Sequence, residues 1–312
     1  TGQETEEKKF TLSGSVDTYF RGNISGGNFD TAPGSSFANQ PGFALGMINL
    51  VAAYEGEKVG FVADMVYGPR GNDAVFGSPT GSSEVINQLY AYWNVSEKVK
   101  LTIGNFNTFL GYEVISPTAN FNYSTSYLFS YGPFSHTGIK ADFALSENTS
   151  LMLAIMNPTD ATEFNPTGSY AFGAQLGFSG QYINFLLDSG AYEIDFTGGF
   201  DVSETFFLGI NAAYFSGDDA PGFYGAALYP QIATSDSFKI GLRTEYFVED
   251  GDFGAIGTGV EDSSVFATTL TGNYTIGSLT IIPELRLDSA SEAAFVGDKA
   301  LSSFALAAVY SF

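Results

Sequence analysis

Charged side chains are scarce in this chain, yet several of them recur at every second residue. Arg243 and Glu245 stand two apart, as do Glu284, Arg286 and Asp288, Glu193 and Asp195, and Lys140 and Asp142. On a β-strand such spacing places both members on one face. Leu285 and Leu287 fall between the charges and take the other face. A charged, wetted face of mixed sign attracts and sorts ions and polar solutes through its field. It does not break bonds. The single histidine, His136, adjoins Ser135, and adjacent strand residues point to opposite faces, so no serine–histidine pair with a third orienting group is expected. Cysteine is absent, which removes disulfides, thiol nucleophiles and thiolate metal sites. No glycine-rich phosphate loop stands between a strand and a helix. The reading is of a protein that is not an enzyme and needs no cofactor. Asp250 and Asp252, beside Glu249, offer alternating oxygen ligands of the kind Ca²⁺ takes. They lack the rest of a ligand sequence and read first as a solvated acidic loop.

The elements that must position these charges follow from composition. Of 312 residues, 16% are aromatic, 15% are charged and 37 are Gly, and the formal net charge is -22. So acidic a chain does not suit a phosphate backbone, so no nucleic-acid partner is expected. No run of about 18 apolar residues exists, so no membrane helix is available. Thr1 to Lys9 reads as a short, polar, already processed segment, and residues 10–312 as one domain. Strand-length stretches that alternate greasy and polar residues fill the rest. Val59 to Tyr67 puts Val59, Phe61, Ala63, Met65 and Tyr67 on one side and Asp64 on the other. Phe10 to Phe20 does the same, with Asp17 on the polar side. Ala300 to Phe312 ends in the alternating set Phe304, Leu306, Ala308, Tyr310 and Phe312.

Connections alternate between short and long. Glu55–Lys58, Ser96–Lys98, Ser146–Asn148, Ser179-Gly180, Ser203-Glu204, Thr234–Asp236 and Ile276–Ser278 are tight turns, and most of the connections between them are longer. Short turns at one end and long loops at the other characterise membrane β-barrels. The expected fold is all-β: an antiparallel up-and-down transmembrane barrel of about sixteen strands. Greasy faces would meet lipid, with aromatic girdles of Phe10, Trp93, Phe206, Phe238, Tyr274 and Phe312 at the short-turn end and Phe20, Tyr67, Tyr214 and Tyr246 at the other. The opposite faces would line a wet lumen with Asp17, Asp64, Lys140, Asp142, Glu193, Asp195, Lys239, Arg243, Glu245, Glu284 and Arg286. Such charges cost about 2–4 kcal/mol each if they faced hydrocarbon. Acids outnumber bases, which favours cations or neutral solutes. The other reading of these charges is a closed lumen in which they satisfy each other.

The longest connection, Asn107 to Ser135, carries Phe109, Tyr112, Glu113, Phe121, Tyr123, Tyr127, Phe129 and Tyr131. A free external loop this aromatic would be sticky, so it is expected to fold into the barrel and narrow it; packing over the mouth or against a partner protein is the alternative.

Several stretches resemble a family of OmpL-like β-barrel porins common in Bacteroidetes: QLYAYWNV at 88–95, LTIGNFNTFLGYE at 101–113, GLRTEYF at 241–247 and PELRLD at 283–288. The terminal strand resembles those of bacterial outer-membrane proteins, whose final Phe is read by the barrel-assembly machinery; Phe312 takes that place. The resemblance implies a pore in the outer membrane of a Gram-negative bacterium, in contact with lipid and lipopolysaccharide and passing small hydrophilic solutes. It makes Arg243, Glu245, Glu284 and Arg286 the foremost candidates for a lumen charge network. A homotrimer is expected only by analogy with general porins. The alternative function is a non-conducting barrel that serves as scaffold or partner in an outer-membrane complex.

Overall fold

Hydrocarbon offers a backbone amide nothing to bond, so a sheet that crosses it must leave no open edge. The computed structural model describes residues 9–217 and 220–312, and in it sixteen antiparallel strands follow chain order and close β1 onto β16. They are β1 (Lys9–Ser25), β2 (Gly42–Glu55), β3 (Val59–Tyr67), β4 (Ile86–Ser96), β5 (Val99–Asn107), β6 (Ser135–Ala144), β7 (Thr149–Met156) and β8 (Ala171–Phe178). The second half comprises β9 (Gln181–Asp188), β10 (Ala191–Asp201), β11 (Phe206–Gly217), β12 (Ala220–Ser235), β13 (Phe238–Asp250), β14 (Ser264–Ile276), β15 (Leu279–Ala290) and β16 (Ala300–Ser311). Apart from Lys9, the expected N-terminal segment lies outside the described residues.

The phase of alternation sets which face each residue takes. On β15, Leu285 and Leu287 are 48% and 47% exposed on the outer wall, while Glu284 and Arg286 between them are 2% and 5% exposed. The outer wall carries Phe10, Trp93, Tyr274 and Phe312 towards the short-turn end and Tyr67, Tyr214 and Tyr246 towards the long-loop end, all exposed. Phe20 is half-buried because its ring packs edge-on against Phe43, with centroids 5.0 Å apart.

Connections at the long-loop end are L1 (26–41), L2 (68–85), L3 (108–134), L4 (157–170), L7 (251–263) and L8 (291–299). The tight outer hairpin between β9 and β10 is made by Ser189 and Gly190, both at positive φ (52° and 88°), the backbone a two-residue type I′ turn requires. Two short helices interrupt the loops: α1 (Pro69–Ala74) in L2 and α2 (Tyr127–Tyr131) in L3.

One strand is longer than alternation suggests. β1 was expected to stop at Phe20, but Arg21 to Ser25 stay paired with β16. Arg21 and Asn23 read as loop residues because they are polar, yet both point inward. Arg21 donates to Asn23 Oδ1 (2.9 Å) and to the carbonyl of Thr31 (2.7 Å), drawing L1 down into the barrel.

At the seam, Gly14 and Phe312 exchange two backbone hydrogen bonds of 3.0 Å. A Cβ on Gly14 would lie 2.2 Å from the carbonyl oxygen of Asn49 and 2.8 Å from the Phe312 ring. Gly14→Val should therefore obstruct closure and lower the fraction that migrates as a compact band in unheated SDS electrophoresis. An unchanged folded fraction would contradict this account of the seam.

Candidate functional site

Inside the barrel the dominant feature is L3. A loop carried into a lumen must find partners for its own N–H and C=O groups. The wall supplies them from alternate positions on β13 and β15. Glu284 accepts from the N–H groups of Tyr123 (2.7 Å) and Ser124 (3.0 Å) and from the Ser124 hydroxyl (2.9 Å). Glu245 accepts from the N–H groups of Tyr127 (2.9 Å) and Leu128 (2.8 Å), the first turn of α2. Helix N-termini leave such donors free, and a carboxylate is the favoured acceptor. Arg243 donates to the carbonyls of Ser124 (2.6 Å) and Thr125 (3.1 Å) and to Thr269 Oγ1 (3.1 Å). It also pairs with Glu113 of the loop itself at 2.7 Å. Arg286 donates to the carbonyl of Thr125 (2.8 Å) and makes a two-pronged pair with Asp288 (2.7 and 2.8 Å).

Glu113 completes the loop's own fold by accepting from the N–H of Ser126 (2.8 Å) and from its hydroxyl. Ser126 in turn accepts from the Phe129 N–H (3.0 Å), capping α2. Arg70, from α1, reaches across to the carbonyls of Ile115 (3.1 Å) and Tyr123 (3.0 Å), with its guanidinium over the rings of Phe37 and Tyr123. Asp17 accepts from the Tyr123 hydroxyl and from the Met47 N–H. Asp195 accepts from Gly111 N–H (3.2 Å) and from the amides of Asn184 and Asn211.

The loop aromatics sit in seats cut into the wall by inward-facing glycines. Cβ atoms on Gly173, Gly209 and Gly241 would lie 2.5, 2.3 and 2.4 Å from atoms of Phe109, Tyr112 and Phe121 respectively. Tyr112 stacks on Tyr229 at 4.3 Å, and Tyr123 packs against Tyr19 at 5.4 Å. Tyr127 and Tyr131 flank Phe247, while Phe129 joins Phe37 and Phe134.

Alternation correctly separates inside from outside, but it does not show what fills the inside. Asp17, Asp195, Arg243, Glu245, Glu284 and Arg286 were expected to face lumen water. They are instead at most 7% exposed, held by L3 or its neighbours. Asp64 is also buried, accepting from the amides of Asn49, Asn87 and Gln88. Lys140 and Asp142 remain within reach of water and approach each other at 3.4 Å. Lys239 is exposed and lines a cavity of about 500 Å³ beneath L3, with Asn120, Gln231, Asp236 and Asn273. A second cavity of about 620 Å³, near the short turns of β3 to β8, is lined by Lys58, Lys98, Lys100, Asp142 and Gln175. Glu193 points inward without a donor among the described residues.

His136 is fully buried, with Nε2 3.0 Å from Thr108 Oγ1 and its ring against Phe106 and Phe109. Glu249 and Asp250 are neighbours on β13 and diverge. Glu249 turns inward to accept from the Ile256 N–H (2.9 Å), while Asp250 and Asp252 are exposed. Among the described residues no group of three or more acidic or histidine side chains is placed to hold a metal. Arg70 and the glycine seats were not foreseen. The glycines share the inward phase of the charges, which is the one signal the sequence offered for them.

Comparison with known proteins agrees with this geometry. The outer-membrane channel DcaP of Acinetobacter baumannii superposes with a TM-score of 0.67 at 14% identity, covering 100% of this chain and 99% of that one. Salmonella typhi OmpF, in complex with daunomycin, gives 0.67 at 11% identity with 100% of both chains covered. An anion-selective porin from Comamonas acidovorans gives 0.63 at 12%, covering 98% and 100%. At these identities the likeness is one of fold. No curated protein matches the sequence. The family described as "Putative beta-barrel porin-2, OmpL-like" matches residues 9–312. The chain belongs to that family, and is a multi-pass β-barrel of the outer membrane.

Proposed function

We propose that the protein is a non-enzymatic diffusion porin for small hydrophilic solutes, favouring cations or neutral molecules, in which L3 is the constriction. The observation that carries this reading is the attachment of L3 to the wall through Arg243, Glu245, Glu284 and Arg286. A loop secured by so many charge-assisted bonds has a fixed position across the lumen. Water-reachable cavities lie beneath it, and a smaller pocket lies on its outer side beside Tyr131 and Gly132. Solutes therefore pass L3 to go from one end to the other. The net charge of -22 favours cations in the surrounding field. In the same reading, Phe312 on the lipid face serves recognition by the assembly machinery, the girdles sit in lipid and lipopolysaccharide, and the barrels assemble as homotrimers. Vibrio cholerae OmpT, described in a trimer form, has the same fold at a TM-score of 0.58 and 10% identity.

A second reading has support from one feature. L1, L2 and L7 also pack onto L3: Phe37, Arg70 and Ile256 are all at most 3% exposed. A barrel filled this way could be a closed scaffold within an envelope complex. Planar-bilayer recording separates the two readings, since the porin gives stepwise currents and the scaffold none.

Two variants test the mechanism. Arg243→Ala leaves Glu113 buried without its cation, a loss of about 3–5 kcal/mol for a broken buried pair. L3 should loosen, and single-channel steps should become larger and noisier; steps identical to wild type would count against L3 as the constriction. Lys239→Glu reverses an exposed lumen charge. It should raise cation over anion permeability on the order of twofold in a salt-gradient reversal-potential measurement. No shift would remove Lys239 from the conducting path.

A further inference from the structure

Asp188 on β9 and Asp195 on β10 each accept hydrogen bonds; the buried Glu193 between them accepts none among the described residues. It is 5% exposed, and its cross-strand neighbours are Leu186 on β9 and Phe215 on β11. Asp195, two residues along the same face, brings a second carboxylate and no counter-charge. A carboxylate left in this state is costly unless something charged or polar comes to it.

Its carboxylate lines a pocket of about 230 Å³ at the outer end of the lumen, between the end of L3, L4 and β9 to β11. Two more carboxylates, Asp160 and Asp188, share the lining, and no basic side chain does. Asp160 accepts from the N–H groups of Phe134 (2.9 Å) and Ser135 (2.7 Å), and Asp188 from that of Thr159 (2.7 Å). Burial still pushes the Asp160 carboxyl up to about 6. The remaining walls include Tyr131, Tyr192, Phe215 and Leu186. The two-residue hairpin at Ser189-Gly190 keeps the barrel rim low here, so the pocket lies close to the outer mouth.

We propose that this pocket binds an organic cation, a solute carrying a primary or quaternary ammonium group, with Glu193 as counter-ion and Phe215 and Tyr131 as aromatic wall. The acids are not grouped for a bare metal ion, since no set of three among the described residues is close enough to share one. Carboxylates spread around aromatic rings suit a larger, softer cation, held by charge on one side and by ring faces on the other. The pocket volume equals about eight waters, enough for an ammonium head and a short alkyl chain. Neutral hydroxylic solutes would leave Glu193 without a counter-charge. The proposal names a solute class for the channel reading and rests on it, but its test does not need current to flow.

The test is calorimetric titration of the detergent-solubilised full chain with butylammonium chloride at about pH 8, where a primary amine keeps its proton and ordinary carboxylates have lost theirs. Wild type should bind butylammonium and not n-butanol, its neutral analogue in size. Glu193→Gln should weaken binding about tenfold or more, and Phe215→Leu by a few-fold. Equal binding of alcohol and amine, absence of binding, or a Gln variant that binds like wild type would overturn the site. The amine–alcohol comparison on wild type decides the matter even if a variant fails to fold. Binding without conductance would defeat the channel reading and leave the site standing; conductance without binding would do the reverse.

Discussion

A charge inside a membrane barrel needs a partner, and in the core of this barrel the partner is backbone. Arg243, Glu245, Glu284 and Arg286 lie on alternate positions of β13 and β15, where strand phase turns them inward. L3 then arrives with N–H and C=O groups that have no ladder of their own. Each side supplies what the other lacks. The carboxylates take the N–H groups of Tyr123, Ser124, Tyr127 and Leu128, and the guanidiniums take the carbonyls of Ser124 and Thr125. Truncating one partner leaves a buried, unpaired charge, which is more costly than the bond itself was favourable. The position of L3 is therefore set by electrostatic necessity, with aromatic packing into the glycine seats refining it.

That arrangement divides the lumen. On the side of β11 to β16, the outer half becomes an apolar core around Tyr127, Phe223, Phe247 and Phe295. The unfilled space lies elsewhere: beneath L3 near Lys239, near the short turns beside Asp142, and at the outer rim beside Glu193. The charges beside this space, Lys239, Asp142 and Glu193, are different from those that hold the loop. The first group is water-reachable or unpartnered, and the second is saturated with hydrogen bonds.

Much of the fold was legible because the membrane allows so few solutions. The phase at Val59–Tyr67, the turns at Ser179-Gly180 and Glu55–Lys58, and the closing strand each carried a local signal strong enough to place a strand within a few residues. Arg21–Ser25 was not legible: Gly22 leaves a gap in the greasy outer face there, and Arg21 and Asn23 on the inner face bond to L1, so the alternation fades at that end. The inward phase of Glu284 and Arg286 was readable, and their burial was not, because burial depends on where residues more than a hundred positions away in sequence come to rest. Glu113 was visible as a loop acid, but nothing in its surroundings marks it as the partner of Arg243. Gly173, Gly209 and Gly241 read as ordinary barrel glycines, since a missing side chain carries no hint of the ring that replaces it.

The L3 backbone is bonded to the wall, and amide hydrogen exchange reads such bonding residue by residue. Peptides covering Tyr123 to Leu128 should exchange as slowly as those of β13 and β15, and far more slowly than the exposed L8 loop at 291–299. Exchange of that L3 segment at the rate of L8 would contradict the account.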